Sequence, residues 1–117
     1  DPAEMLSLEV INRTNEQQRV TIDLFRDDRE NRSDAYVYRE RFMLSAPGGN
    51  SGESIRRDEV VQSRRYQVLV DVHQGPTTTY PFYPSCVGDD AQNDELYVEV
   101  ERPDAIEVTF EQSVCGG

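Results

Sequence analysis

Lysine is missing from this chain. All positive charge rests on twelve arginines, set against 23 carboxylates, for a formal net charge of -11. Lysine is normally among the commonest residues, so its absence beside so much Asp and Glu is a signal in itself. At about 1 M ionic strength the Debye length falls to about 3 Å, and repulsion among surface carboxylates nearly vanishes. The carboxylates still hold water and cations, which opposes precipitation. A lysine stem would cover surface without doing so, whereas arginine keeps a fork for bidentate pairing with carboxylates. The composition therefore predicts a protein of concentrated salt; an ordinary acidic extracellular domain is the competing reading.

Other shortages exclude whole classes. Tryptophan is absent, and there is a single histidine, His73. A blue-copper centre needs two histidines and a cysteine, and Met5 and Met43 show no ligand spacing around His73. No cofactor is expected. Nucleophilic catalysis fares no better, because there is no Gly-x-Ser-x-Gly elbow and a triad would have to be built on His73. That residue sits outside the core parity of its strand, beside a turn, and reads as solvated. An enzyme is not expected. No apolar run approaches the roughly 20 residues of a membrane span. Basic residues form only the isolated pairs Arg56-Arg57 and Arg64-Arg65, too few for the phosphate neutralisation that nucleic-acid binding demands. No export signal is visible, as expected if Asp1 opens a processed form.

The residues present are strongly patterned. At 117 residues the chain fits one domain, spanning 1–117, with a core of its own. Period-2 alternation dominates, which predicts half-buried strands. Leu6, Leu8 and Val10 alternate with polar residues, as do Val20, Ile22 and Leu24. Tyr36, Tyr38, Phe42 and Leu44 share one parity, interrupted by Glu40, which suggests an edge or a bulge. Ala46 to Gly52 is the most emphatic turn, and Ile55 to Val61 reads as a weak edge strand. Tyr66, Val68, Val70 and Val72 give the cleanest core strand. Thr78 to Tyr83 contains Pro81, which cannot donate to a ladder and places the strand at an edge or a bend. Leu96-Val98-Val100 and Ile106-Val108-Phe110 form a closing hairpin around Arg102-Pro103-Asp104. These seven to eight short strands predict an all-β fold, an immunoglobulin-like antiparallel β-sandwich without the antibody tryptophan.

Cys86 and Cys115 each follow a strand-like segment and belong to no C-x-x-C pair, so a disulfide is expected, with two buried thiols as the alternative. Asn12-Arg13-Thr14 and Asn31-Arg32-Ser33 are N-x-Ser/Thr sequons, which makes Asn12 and Asn31 candidate glycan acceptors. Cysteines and sequons together place the chain outside the cell. Two acidic loops are candidates for calcium: Asp27, Asp28, Glu30 and Asp34, and Asp89, Asp90, Asp94 and Glu95. Neither has EF-hand order, and diffuse cation binding competes with a specific site; the second loop is the stronger candidate, since the expected bridge restrains it. Tyr80-Pro81-Phe82-Tyr83-Pro84 concentrates aromatics. Tyr80, Phe82 and Tyr83 either form a contact platform for a sugar or protein, or cap the core.

The order Leu8-x-Val10-x-Asn12, Val20-Thr21-Ile22, an aromatic strand ending at Leu44 before Pro47-Gly48, Tyr66-x-Val68-x-Val70 and an aromatic corner before Cys86 resembles small secreted or lipid-anchored proteins of haloarchaea. The tail, Leu96-Tyr97-Val98-Glu99-Val100 through Phe110-Glu111-Gln112-Ser113-Val114-Cys115, is the nearest echo. The likeness runs from Leu6 to Cys115, and departs from the family at Phe82, where a tryptophan is usual. It implies an immunoglobulin-like extracellular domain, often anchored by a lipidated cysteine upstream, and brings no activity with it. The resulting expectation is a non-enzymatic cell-surface structural or interaction module whose partner is a protein or a glycan. A self-assembling, homo-oligomeric subunit using edge-strand pairing is the alternative, through the short first strand or the strand at Thr78 to Tyr83. A solute- or metal-binding receptor domain is a distant third.

Overall fold

The computed structural model describes residues 5–27, 35–46, 54–84 and 94–113. Eight strands account for most of them: β1 (Met5–Asn12), β2 (Gln18–Arg26), β3 (Tyr36–Leu44), β4 (Ser54–Gln62), β5 (Tyr66–Val72), β6 (Thr77–Phe82), β7 (Asp94–Glu101) and β8 (Glu107–Gln112). They form two four-stranded sheets, β4-β1-β7-β8 (sheet A) and β3-β2-β5-β6 (sheet B). The expected immunoglobulin-like sandwich is the fold. Alternation says nothing about strand direction, and here one pair, β1 with β7, runs parallel in register Leu6↔Asp94 to Asn12↔Val100.

The core follows from the alternation. Leu6, Leu8 and Val10 of β1 and Leu96, Val98 and Val100 of β7 face Val20, Ile22 and Leu24 of β2 and Val68, Val70 and Val72 of β5, all essentially sealed from solvent. Phe42 and Phe82 are the largest fully buried side chains. Removing either ring would cost about 3–5 kcal/mol in lost transfer energy and cavity.

Position in the sheets corrects one expectation. The first strand is central, flanked by β4 and β7, so it offers no edge. The true edges are β3, β4, β6 and β8. Three of them are blunted. β6 carries Pro81. β4 bulges opposite Ser7, where Leu6 pairs Val61 but Leu8 pairs Arg57. At the bulge Glu59 adopts a left-handed φ of 53°, and its N–H donates to the Ser7 hydroxyl. β3 has an extra residue at Val37, between the Leu24↔Tyr38 and Phe25↔Tyr36 pairs, and turns the charged Glu40 inward. Bulges, prolines and inward charges are the usual means of stopping edge-to-edge growth.

Each open side of the sandwich is closed by a polar contact between the sheets. On one side Arg57 of β4 pairs with Glu40 of β3 at 2.8 Å, and its guanidinium lies 5.6 Å from the centre of the Phe42 ring. The Tyr38 hydroxyl donates to the same carboxylate. On the other side Tyr80 of β6 stacks on Phe110 of β8, centroids 4.6 Å apart. Its hydroxyl donates to Gln112 Oε1 at 2.6 Å, and Gln112 Nε2 donates to the Tyr83 carbonyl at 2.8 Å.

The strands define two poles. β1 begins beside the start of β7 (Leu6 by Asp94) and β8 ends beside the same point (Gln112 opposite Leu96). The opposite pole carries the β1–β2, β5–β6 and β7–β8 turns. In the β5–β6 turn Gln74 takes φ 61°, and Gly75 sits so close to Val72 that an added Cβ would meet its Cγ1 at 3.1 Å.

Candidate functional site

The sites expected from sequence separate once they are folded. Asn12 is 2 % exposed. Its Nδ2 donates to the carbonyls of Glu16 (2.8 Å) and Ser45 (3.0 Å), and its Oδ1 accepts from the Thr14 N–H and hydroxyl. The residue is a clasp, tying the β1–β2 turn to the chain leaving β3. A glycan on Nδ2 would displace at least one of these bonds and need room the fold does not leave, so in the folded domain Asn12 is a structural residue. Asn31 lies outside the described residues, as do Cys86, Cys115, Asp89 and Asp90.

Asp94 and Glu95 are neighbours on β7 and therefore point to opposite faces of sheet A. Asp94 is fully buried, with its carboxylate accepting from the Ser63 hydroxyl. Glu95 faces out, and the hydrogen bond from Tyr97, followed by that from Arg56, holds its carboxyl below the ordinary range. The two cannot share one cation. Among the described residues no group of three or more His, Cys, Asp or Glu side chains is placed to hold a metal ion. The aromatic segment divides in the same way: Phe82 is core, Tyr80 seals the side of the sandwich, and Tyr83 is 51 % exposed beneath Arg65, whose guanidinium lies 4.9 Å from the ring centre. His73 stays on the surface, at the end of sheet B.

The arrangement that does emerge is a contrast between the two outer faces. On sheet A the outward parity places Glu9 on β1, Glu95, Glu99 and Glu101 on β7, and Glu107 and Glu111 on β8. Arg56 spreads over Glu95 (3.1 Å), Glu9 (3.4 Å) and Asp58 (2.7 Å), and Arg13 takes Glu99. At the β7–β8 end, among the described residues, the Arg13 charge also acts on Glu101 and Glu111 but pairs with neither. Glu101 stands directly opposite Glu107, a like-charge cross-strand pair of the kind that destabilises a sheet. Glu101 accepts a hydrogen bond from Thr109, but neither carboxylate has an ion pair among the described residues.

Sheet B shows the reverse bias. Its outer face carries Arg19 on β2 and Arg39 and Arg41 on β3, against Asp23 and Asp71. Arg39 grips Asp23 with two hydrogen bonds, and Asp71 accepts from the Thr77 hydroxyl at 2.9 Å. Arg19 and Arg41 are different. In a chain where carboxylates outnumber arginines almost two to one, they are the only arginines among the described residues whose guanidinium groups have no hydrogen bond, ion pair or ring contact. Both line one cleft of ≈ 410 Å³, together with Thr21, Met43, Asp71 and His73. Met43 is 51 % exposed there. Sequence reasoning passed over this pair because it looked for adjacent basic residues. The usable signal was Arg39-x-Arg41 alternating with core residues, since i and i+2 share a face of a strand.

No family model matches the chain, and no curated protein matches it either. The class rests on geometry alone: an all-β sandwich with one acidic and one mildly basic outer face.

Proposed function

We propose that this is a non-enzymatic, extracellular module displayed at the surface of a halophilic archaeon, where its sandwich presents faces and loops to a protein or glycan partner. The observation that carries the reading is the Glu101↔Glu107 pair within a wall of carboxylates served by two arginines. Such a wall is tolerable when salt screens it and costly when it does not. The lysine-free composition supports the same habitat, and the two cysteines, placed to bridge, and the Asn31 sequon support export. The test is antibody staining of producing cells. Signal on intact cells is expected; signal only after permeabilisation would sink the surface assignment.

Self-assembly by edge-strand pairing is the weaker alternative. Proline, bulges and an inward glutamate interrupt β6, β4 and β3, leaving β8 as the one regular edge. A receptor domain for a solute is weaker still, since among the described residues no group of three or more His, Cys, Asp or Glu side chains is placed to hold a metal ion, and the clefts are open to solvent.

A further inference from the structure

We infer that the unpaired Arg19–Arg41 cleft on the outer face of sheet B docks the unpaired Glu101–Glu107 pair on the outer face of sheet A of a second copy, so that copies stack face to face, head to tail. The inference goes beyond the display reading and stands without it.

The argument is one of complementarity within a single sequence. Arg19 and Arg41 lie on adjacent strands, opposite Met43 and Thr21 respectively, and pair with no carboxylate among the described residues of a chain that holds 23. Glu101 and Glu107 are also on adjacent strands, directly opposite each other, and neither makes an ion pair among the described residues, although the Arg13 charge on Glu99 also acts on Glu101. Both pairs lie on an outer sheet face: Glu101 and Glu107 are directly opposed, at the roughly 5 Å spacing of neighbouring strands, and Arg19 and Arg41 are diagonal neighbours, at roughly 7–8 Å, a difference that their long side chains can span. Two guanidinium forks meeting two carboxylates is the geometry in which arginine pairing is strongest. Because the surfaces are different patches of one molecule, the contact is heterologous and leads to an open stack rather than a closed dimer.

Net charge opposes approach at low salt. At molar salt that long-range repulsion is screened within about 3 Å, whereas a hydrogen-bonded Arg–carboxylate contact forms at the same range and persists. The face is small. Four strands about 4.8 Å apart and about 25 Å long offer roughly 480 Å², below the roughly 800 Å² per partner of a stable interface. The contact is therefore weak, and is looked for at high protein concentration.

Sedimentation in about 2 M KCl, from tens of micromolar to about 1 mM protein, tests it. The weight-average mass of the wild type should climb with concentration. The double variants R19E/R41E and E101R/E107R should each stay monomeric, because the two docking pairs of each then carry one sign. Mixed in equal amounts they should associate again, since both interfaces are restored with charges matched. Melting midpoints no lower than the wild type's show that loss of association is not loss of fold. A wild type that stays monomeric throughout overturns the inference, as do variants that associate as the wild type does, or a mixture that fails to recover. Monomeric protein held by an immobilised acidic polysaccharide through Arg19 and Arg41 would overturn it too, reassigning the cleft to a glycan. None of these outcomes touches the surface assignment, which the staining experiment decides.

Discussion

Neutralising Glu107 should stabilise the protein in dilute buffer and do almost nothing in molar salt. Glu107 is the better of the pair to change, because Glu101 would lose its hydrogen bond from Thr109 while Glu107 has no partner among the described residues. Two unit charges at the roughly 5 Å spacing of a cross-strand pair repel by about 0.8 kcal/mol in water. With a Debye length of about 10 Å at 0.1 M salt, about 0.5 kcal/mol of that survives; at about 3 Å, in 1 M salt, about 0.15 kcal/mol survives. For a domain of this size 1 kcal/mol moves the melting midpoint by about 4 °C. Glu107→Gln should therefore melt about 2 °C above the wild type in 0.1 M KCl and within about 0.5 °C of it beyond 1 M. Circular dichroism melts at the two salt concentrations measure this, and the wild-type midpoint should itself rise between them. An equal gain at both concentrations would show that the effect is not electrostatic. A loss at 0.1 M would mean that Glu107 has a stabilising role the structure does not reveal, and a wild type indifferent to salt would end the halophilic reading.

Three further outcomes follow from the packing. Asn12→Asp keeps the shape but turns two donors into an oxygen facing the Glu16 and Ser45 carbonyls, and should cost about 2–4 kcal/mol in urea unfolding; an unchanged urea midpoint would remove the clasp from the account. Burial pushes the Glu40 carboxyl up, but hydrogen bonds from Arg57 and Tyr38 and the Arg57 charge more than reverse this, leaving it below its ordinary 4.5. Its contribution is thus present above about pH 4.5 and lost as pH falls through the folded value, whereas in Arg57→Met both lowering effects of Arg57 are gone and only the Tyr38 hydrogen bond is left to oppose burial. The stability gap between wild type and Arg57→Met should accordingly narrow as pH drops below about 4.5, and a gap constant from pH 7 to 3 would refute the pairing. Cys86 and Cys115 should be bridged in the exported protein, closing a loop of about 29 residues worth about 3.5 kcal/mol; free labelling of both thiols in native, unreduced protein would exclude the bridge and weaken the assignment to the cell exterior.

Most of the fold was legible because a half-buried strand writes its inward face directly into the sequence at period two. Val20-Ile22-Leu24 and Val68-Val70-Val72 needed no other clue, and Pro81 and Glu40 marked edges correctly. Strand neighbours were not legible. Nothing in Leu6-x-Leu8-x-Val10 distinguishes a central strand from an edge, since both bury one face, and parallel pairing with β7 is decided by the path of the chain elsewhere. The Asn12 sequon shows a different limit: an Asn-x-Thr pattern in a polar turn is read alike whether the amide faces water or holds the turn together. The contrast between faces lay in the spacing of like charges at i and i+2, but its meaning depended on which strands became neighbours.

Because β1 starts and β8 ends at one pole, whatever adjoins the domain on either side must enter and leave through the same end. Joined into a longer chain, it would hang as a side branch rather than lie in line as a link. Tension along such a chain would act at the base, where β7 alone separates the two loaded strands, and would pass by the Asn12 clasp and the turns at the tip. Those turns would ride clear of their attachment, with both flat faces unobstructed for lateral contact.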